Sequence, residues 1–406
     1  MNRPPRVIIL YHFFHPDDVV SAQQFAGLAA GLAERGFQVE VHTSNRFCHH
    51  PGAIALRRES WQGVEIRRTW RPGLAQKRFV GRIVNAAWMI ADWCRLAFRR
   101  GPATPDIVLM GTDPIFSVVV AGVLKTLRPR VRTVHWAFDL YPEAAVADDL
   151  FAPKAGLVRL MQAVMGWAYR RCDLIADIGP CMRERLRAYR PRCPQHTLVP
   201  WSLVEPESCP APDPAVRARL FGPDARLAVL YSGSFGRAHA HEDFLALARA
   251  VRSSGVVFCF AGRGNRFDEL RAAVTADDAN IRFADFVPEK ELQSHLAAAD
   301  AHLASLRAGW TGVVVPSKFF GSLAMGRPVL FAGDPAAGIA QWIHQHHVGW
   351  VVSNGDVGTA ATALRELSSD LPRLRDLQRH CWSIYQREFA RRKTLDAWAA
   401  LLARLA

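Results

Sequence analysis

The sequence predicts an α/β protein built from two doubly wound, parallel-sheet, Rossmann-like domains. Three observations predict this. Short apolar strand-like runs alternate with amphipathic helical segments, the alternation occurs twice over similar lengths, and prolines 200, 206, 210, 212 and 214 crowd the junction, where apolar periodicity disappears. The expected organisation is a first domain over 1–199, a linker over 200–214, a second domain over 215–386, and a closing helix over 387–406 that packs back toward the first domain.

In the first half, 7–11 reads as a buried strand, because Val7-Ile8-Ile9-Leu10 is a continuous apolar run. An amphipathic helix over 22–35 stops at Gly36, and Val39-Glu40-Val41-His42-Thr43 resumes as a strand. A strand–helix–strand unit with short connections implies parallel pairing. Further strands are expected at 65–68, 107–110 and 132–136, with helices at 114–127, 157–170 and 181–188. The second half reads as strands at 227–231, 256–261, 281–283, 301–303 and 328–331, separated by helices at 242–251, 267–274, 289–298 and 318–324. Leu395, Trp398, Leu401, Leu402 and Leu405 recur at helical spacing in the final segment.

Half of the 406 residues are hydrophobic and 22% are charged, which excludes global disorder and collagen-like sequence. Eight scattered cysteines without a C-x-x-C pair show neither zinc spacing nor a disulfide framework; they read as reduced packing thiols, in keeping with a cytoplasmic location. The apolar run after Pro5 is too short for a signal-peptide core. Residues 79–98 carry Arg82, Asp92 and Arg95, too much charge for a membrane span. This segment, bracketed by Lys77, Arg78, Arg99 and Arg100 and carrying Trp88 and Trp93, suits either a core helix with solvated basic ends or a helix lying at an anionic membrane surface. The net charge of +14 favours a polyanionic surface without specifying which.

In open parallel sheets, ligands sit outside the carboxyl ends of the strands. Tyr231-Ser232-Gly233-Ser234-Phe235-Gly236-Arg237 follows a strand, and Ala261-Gly262-Arg263-Gly264-Asn265 repeats the arrangement one strand later. Paired glycine turns let backbone approach a phosphate, although tight turns alone also use glycine. Val315-Pro316-Ser317-Lys318 opens a helix for which Ser317 is the expected cap, and Lys318 adds a cation where an anion would balance it. Donor-binding candidates are therefore Gly233, Ser234, Gly236, Gly262, Gly264, Pro316 and Ser317, with Arg237 and Lys318 on a diphosphate.

These segments, with Asn280 to Pro288, Ala324-Met325-Gly326-Arg327-Pro328-Val329 and His135-Trp136-Ala137-Phe138-Asp139-Leu140-Tyr141-Pro142-Glu143, resemble glycosyltransferase family four, retaining nucleotide-sugar-dependent enzymes of GT-B fold. The resemblance covers nearly the whole chain. It implies two domains facing across a cleft, Val287 on the donor, and sugar or acceptor contacts from His135, Glu143 and Ser21. Asp139 is the candidate to orient or deprotonate the acceptor hydroxyl, against the plainer reading that Asp139 and Glu143 begin a helix. His135 is open to a structural reading as well. The family's paired glutamates are replaced by Val313 and Gly321, which suggests a subfamily with other sugar contacts, and Ser234 and His239 stand at the usual arginine and lysine positions.

The implied activity is transfer of a sugar from a UDP- or GDP-linked donor to a saccharide or polyprenyl-diphosphate-linked acceptor in surface polysaccharide biosynthesis. It is expected to need no metal and no cofactor besides the nucleotide-sugar co-substrate. His344, His346 and His347 lack an acidic companion at metal spacing. A nucleotide-sugar epimerase of the same fold is the alternative. A basic nucleic-acid-binding module is less favoured, because no recognition signature accompanies the dispersed charge, so no specific nucleic acid is expected.

Overall fold

A computed structural model of the chain describes residues 3–50, 52–76, 79–99, 104–353 and 355–406; Lys77, Arg78 and Arg100 of the basic segment lie outside them. The chain forms two compact units, Met1–Val199 with Thr394–Ala406, and Pro200–Lys393.

The first unit contains β1 (Arg6–Leu10), β2 (Gln38–Ser44), β3 (Arg58–Trp61), β4 (Val64–Thr69), β5 (Ile107–Met110), β6 (Arg132–Trp136), β7 (Leu174–Asp177) and β8 (Gln195–Thr197). They form one sheet in the order β3-β4-β2-β1-β5-β6-β7-β8. Among the described strands only β3, on β4, pairs antiparallel. Val7 to Leu10 and Ile107 to Met110 are fully buried, as continuous apolar runs must be when both faces of a parallel sheet are covered. Chain order runs outward from β1 toward β2 on one side and continues from β5 on the other, so the topological switch lies between β1 and β5. Helix Arg391–Leu405 ends this unit: Trp398 stacks edge-on to Trp136 at 5.3 Å, and Leu395 fills the space left by Gly31.

The second unit contains β9 (Leu227–Ser234), β10 (Val256–Arg263), β11 (Ile281–Ala284), β12 (Ala301–Leu306), β13 (Val329–Gly333) and β14 (Gly349–Val352), parallel throughout, in the order β11-β10-β9-β12-β13-β14. Its switch point lies between β9 and β12. The proline-crowded segment is tied into this unit rather than loose. Trp201 and Ser202 are buried, the Ser202 amide donates to the Tyr385 hydroxyl at 2.9 Å, and Asp213 caps helix Pro214–Phe221.

Several elements escape the periodicity reading. β3 and β8 are polar edge strands, whose exposed face and short length remove the apolar signal. Helices Gly338–His346, Gly358–Ser369 and Leu371–Ile384, with β14, complete the second unit.

Candidate functional site

In the second unit, the loops after β9 and β12 are laced together at the switch point. The Arg307 amide donates to the Ala238 carbonyl at 2.8 Å, and His239 Nδ1 donates to the Ser305 carbonyl at 2.7 Å. Burial, then the Lys318 charge, push the His239 imidazole down to about 3, so it is a neutral tether. Lys318 turns back over this loop. Its Nζ donates to the Ser234 carbonyl at 3.1 Å and stands 4.9 Å above the Tyr231 ring, and burial lowers the ammonium to about 8.

Two glycines make this geometry possible. Gly233 has φ +118°, and a Cβ there would meet the Lys318 side chain at 3.3 Å. Gly264 has φ +134°, and a Cβ would stand 2.5 Å from the Phe235 carbonyl oxygen, closer than any side chain tolerates. At the same strand ends, Arg263 lies over the exposed Phe286 ring at 4.5 Å, next to Val287, offering a flat face for stacking.

Support beneath Lys318 comes from the segment ending Gly326-Arg327. Gly326, at φ +69°, stops helix Lys318–Ala324, and the buried Arg327 donates to the carbonyls of Ala297, Ala299, Pro210 and Met325. Arg327 is therefore structural: its guanidinium answers carbonyls that burial would otherwise leave unpaired.

In the first unit, His12, Asp113 and Asp139 follow the adjacent strands β1, β5 and β6. His12 Nδ1 lies 3.1 Å from Asp113 Oδ1. The Thr112 hydroxyl accepts the Phe138 amide at 2.9 Å, fixing the loop that carries Asp139. Burial and the nearby Asp113 charge raise Asp139 to about 6, a carboxylate poised near neutrality. Arg71, just beyond β4, is fully buried, and none of its three guanidinium nitrogens has a hydrogen-bond partner among the described residues. Its guanidinium lies 5.7 Å from the Phe13 ring; burial, then the Arg46 charge, lower its pKa below the usual arginine value, with Asp113 and Asp17 opposing them.

The structure corrects three expectations. Ser317 does not cap its helix: at φ −63°, ψ −17° its backbone is already helical, its side chain is exposed and makes no cap bond. His135 is 1% exposed against Tyr169, and burial pushes it down to about 4, so it is a neutral residue packed in the core, the structural of its two readings. Glu143 accepts from the Tyr189 hydroxyl within the first unit while opening helix Glu143–Ala147, which is the plainer of its two readings.

Ser21 bonds the Tyr11 phenol at the start of helix Val20–Glu34. Gly262 packs against the Gly233 carbonyl, Gly236 has open space around it, Pro316 is buried, and Arg237 is exposed on the loop after β9. Val313 is core, and Gly321 adds no side chain, so neither position supplies a sugar contact. His12, Asp113 and Arg71 were missed by sequence reasoning. The first two lie within three residues of the ends of apolar strands, which is a usable signal, whereas nothing local marks Arg71 among the chain's many arginines.

All eight cysteines are free. Asp17, Asp18 and His49 bring three ligand atoms within 4.8 Å of one another. Among the described residues no helix is long and apolar enough to cross a membrane.

Comparison with known proteins agrees with this architecture. Residues 21–201 match the model of the glycosyl transferase 4-like domain, and residues 226–370 match that of glycosyl transferases group 1. A probable glycosyltransferase, WbjE of Pseudomonas aeruginosa, is 26% identical over 307 residues, 74% of each chain. Among solved structures, Anabaena Alr3699/HepE in complex with UDP and glucose superposes with a TM-score of 0.66 at 13% identity, covering 98% of this chain and 100% of that one. WaaG, a glycosyltransferase involved in lipopolysaccharide biosynthesis, gives 0.64 at 14% identity over 97% and 99%. With both halves matched and the two parallel sheets in place, the chain belongs to the GT4-like glycosyltransferases of GT-B fold.

Proposed function

We propose that this enzyme transfers a sugar from a UDP- or GDP-sugar to a saccharide or polyprenyl-diphosphate-linked saccharide in surface polysaccharide biosynthesis, at an anionic membrane surface. The observation that carries the reading is Lys318, held over Ser234 and Tyr231 beside a glycine turn that leaves backbone open to a diphosphate. The name of WaaG, involved in lipopolysaccharide biosynthesis, supports the surface-polysaccharide setting, and HepE bound to UDP supports a uridine nucleotide donor.

In this reading the anomeric carbon–oxygen bond to the diphosphate breaks, and the acceptor oxygen takes its place on the same face, with retention. Negative charge grows on the leaving diphosphate, and Lys318 and Arg237 stabilise it more in the transition state than in the ground state. No metal is assigned a role. The nucleotide base is assigned to the Arg263–Phe286 face. Asp139 orients the acceptor hydroxyl, whose proton passes to the departing phosphate or to the carboxylate. Arg71, buried without a partner, is assigned to an anionic group of the acceptor. No feature of these residues favours epimerisation or nucleic-acid binding.

Calorimetric titration with uridine and guanosine diphosphates and their sugars tests the donor assignment. One diphosphate should bind tightly to the wild type and lose affinity in both Arg237→Ala and Lys318→Ala. Absence of binding by every nucleotide would refute it.

A further inference from the structure

Helix Phe79–Cys94 is apolar on two sides. Met89 and Trp93 are fully buried, yet Val80, Ile83, Val84 and Trp88 on the other side are 69%, 50%, 40% and 44% exposed. Between Ile54 and Phe98 the described chain carries nine of its eighteen exposed large hydrophobic side chains, a concentration that scattered surface residues do not produce. The helix thus has one face satisfied by its own unit and a second that is not.

Beside that second face lies a cavity of about 780 Å³ whose walls include Arg57, Arg58, Arg67, Arg68, Arg95 and Arg99. Trp70 and Trp88 belong to both features: the Trp88 indole N–H donates to the Trp70 carbonyl at 2.7 Å, and the two rings meet edge-on at 5.1 Å. Three carboxylates answer four of the six guanidinium groups. Glu40 takes Arg67 at 2.9 Å and Arg99 at 3.1 Å, Glu59 takes Arg68 at 2.7 Å, and Asp92 takes Arg95 at 2.8 Å. Glu40 is further shared with Arg6 at 2.6 Å. Arg57 and Arg58 are exposed and have no carboxylate partner among the described residues. The cavity therefore holds an excess of positive charge, presented by the start of β3 and the residue before it, by β4 and by the segment that ends and follows the helix.

We propose that this arginine-lined cavity is a headgroup pocket for a lipid ending in a phosphomonoester or diphosphate, occupied while the exposed face of helix Phe79–Cys94 lies at the acyl–headgroup boundary. Indole rings favour that boundary, and aliphatic side chains beside a basic rim are the composition of a helix lying in it. A flat basic surface attracts any anionic lipid alike. A concave site with guanidinium forks on several walls instead prefers a compact dianionic phosphoryl group, which accepts several bidentate pairs at once. The volume lies within the ordinary range for a small-molecule site, so a headgroup enters whole. The pocket is built entirely from the first unit, and none of its arginines belongs to the donor-binding loops. The inference rests on the reading that the enzyme works at a membrane surface.

The test is co-sedimentation of the full-length protein with phosphatidylcholine vesicles containing either phosphatidic acid or phosphatidylserine, matched in surface charge. Wild type is compared with Arg57→Ser/Arg58→Ser and with Arg187→Ser/Arg192→Ser, a control near the opposite edge of the same sheet. The expected result is preference for phosphatidic acid, lost in the first pair together with about 30-fold in affinity, as two surface arginines would account for. The control should lose much less, and thermal unfolding of both should match wild type. Equal losses in the two double variants, or no preference between the lipids at matched charge, would overturn the pocket and leave membrane association standing. If the wild type pellets with neither vesicle, the pocket and the membrane reading fall together.

Discussion

Lys318 gives the most direct test of the donor site, because its charge titrates in an accessible range. Burial lowers its ammonium from 10.5 to about 8, even with the Ser234 carbonyl at 3.1 Å and the Tyr231 ring at 4.9 Å. The diphosphate of a nucleotide sugar keeps its charge across the range of interest, so the ligand contributes no titration of its own. For a group titrating at about 8, the cationic fraction is about nine tenths at pH 7, half at pH 8 and one tenth at pH 9. Donor affinity should therefore fall about twofold by pH 8 and about tenfold by pH 9. A bound diphosphate favours the cation, so binding above pH 8 should take up a proton, which calorimetry in buffers of different ionisation enthalpy detects. Lys318→Met removes the titrating group; it should weaken binding at pH 7 by about 10- to 100-fold, the worth of a charge-assisted contact, and flatten the profile. Wild-type affinity that is constant between pH 7 and 9, or a fall that persists in Lys318→Met, would refute the assignment.

Asp139→Asn should lower kcat by about 10²- to 10⁴-fold with little change in donor affinity, measured under saturating donor. Because burial and Asp113 raise the Asp139 carboxyl to about 6, above its unfolded value, ionisation penalises the folded state above that pH. The same variant should therefore melt higher than wild type at neutral pH, and wild-type kcat/KM should rise through about pH 6 before Lys318 lowers it again. Gly264→Ala, with a Cβ forced against the Phe235 carbonyl oxygen at positive φ, should cost about 1–3 kcal/mol in denaturant unfolding and weaken donor binding. Arg71→Met should stabilise the fold by about 1 kcal/mol or more, since a buried guanidinium without partners is replaced by apolar volume, while raising the acceptor KM. Activity should survive treatment with a chelator; its loss, with recovery on adding a divalent ion, would direct attention to Asp17, Asp18 and His49.

The ends of the central strands were legible because apolar runs buried on both faces carry a signal independent of partner. Ile107–Met110 and Arg132–Trp136 match their expected spans, and β9 and β10 extend theirs by a few residues into the glycine loops. Those extensions are a tertiary effect: Gly262 and Arg263 pair with Gly233 and Ser234, lengthening both strands past the point where hydrophobicity stops. The cap expected of Ser317 failed because the turn begins one residue earlier: the Phe319 amide donates to the Pro316 carbonyl at 3.3 Å, and the Ser317 backbone is already helical.

By itself the sequence determined the class of architecture, the two successive strand–helix alternations, and the glycine turns after β9 and β10. Those features depend on local periodicity and on glycine's freedom, both written in consecutive residues. Only the tertiary structure decided which charges matter. Arg327 and Arg71 each stand directly before a proline in the sequence, yet one is consumed by four carbonyls and the guanidinium of the other is left buried without a hydrogen-bond partner among the described residues. Asp139 and Asp113 stand far apart in sequence and become mutual neighbours only because β5 and β6 pair. A side chain's charge acts through its neighbours and its distance from water, and strand order and packing set both.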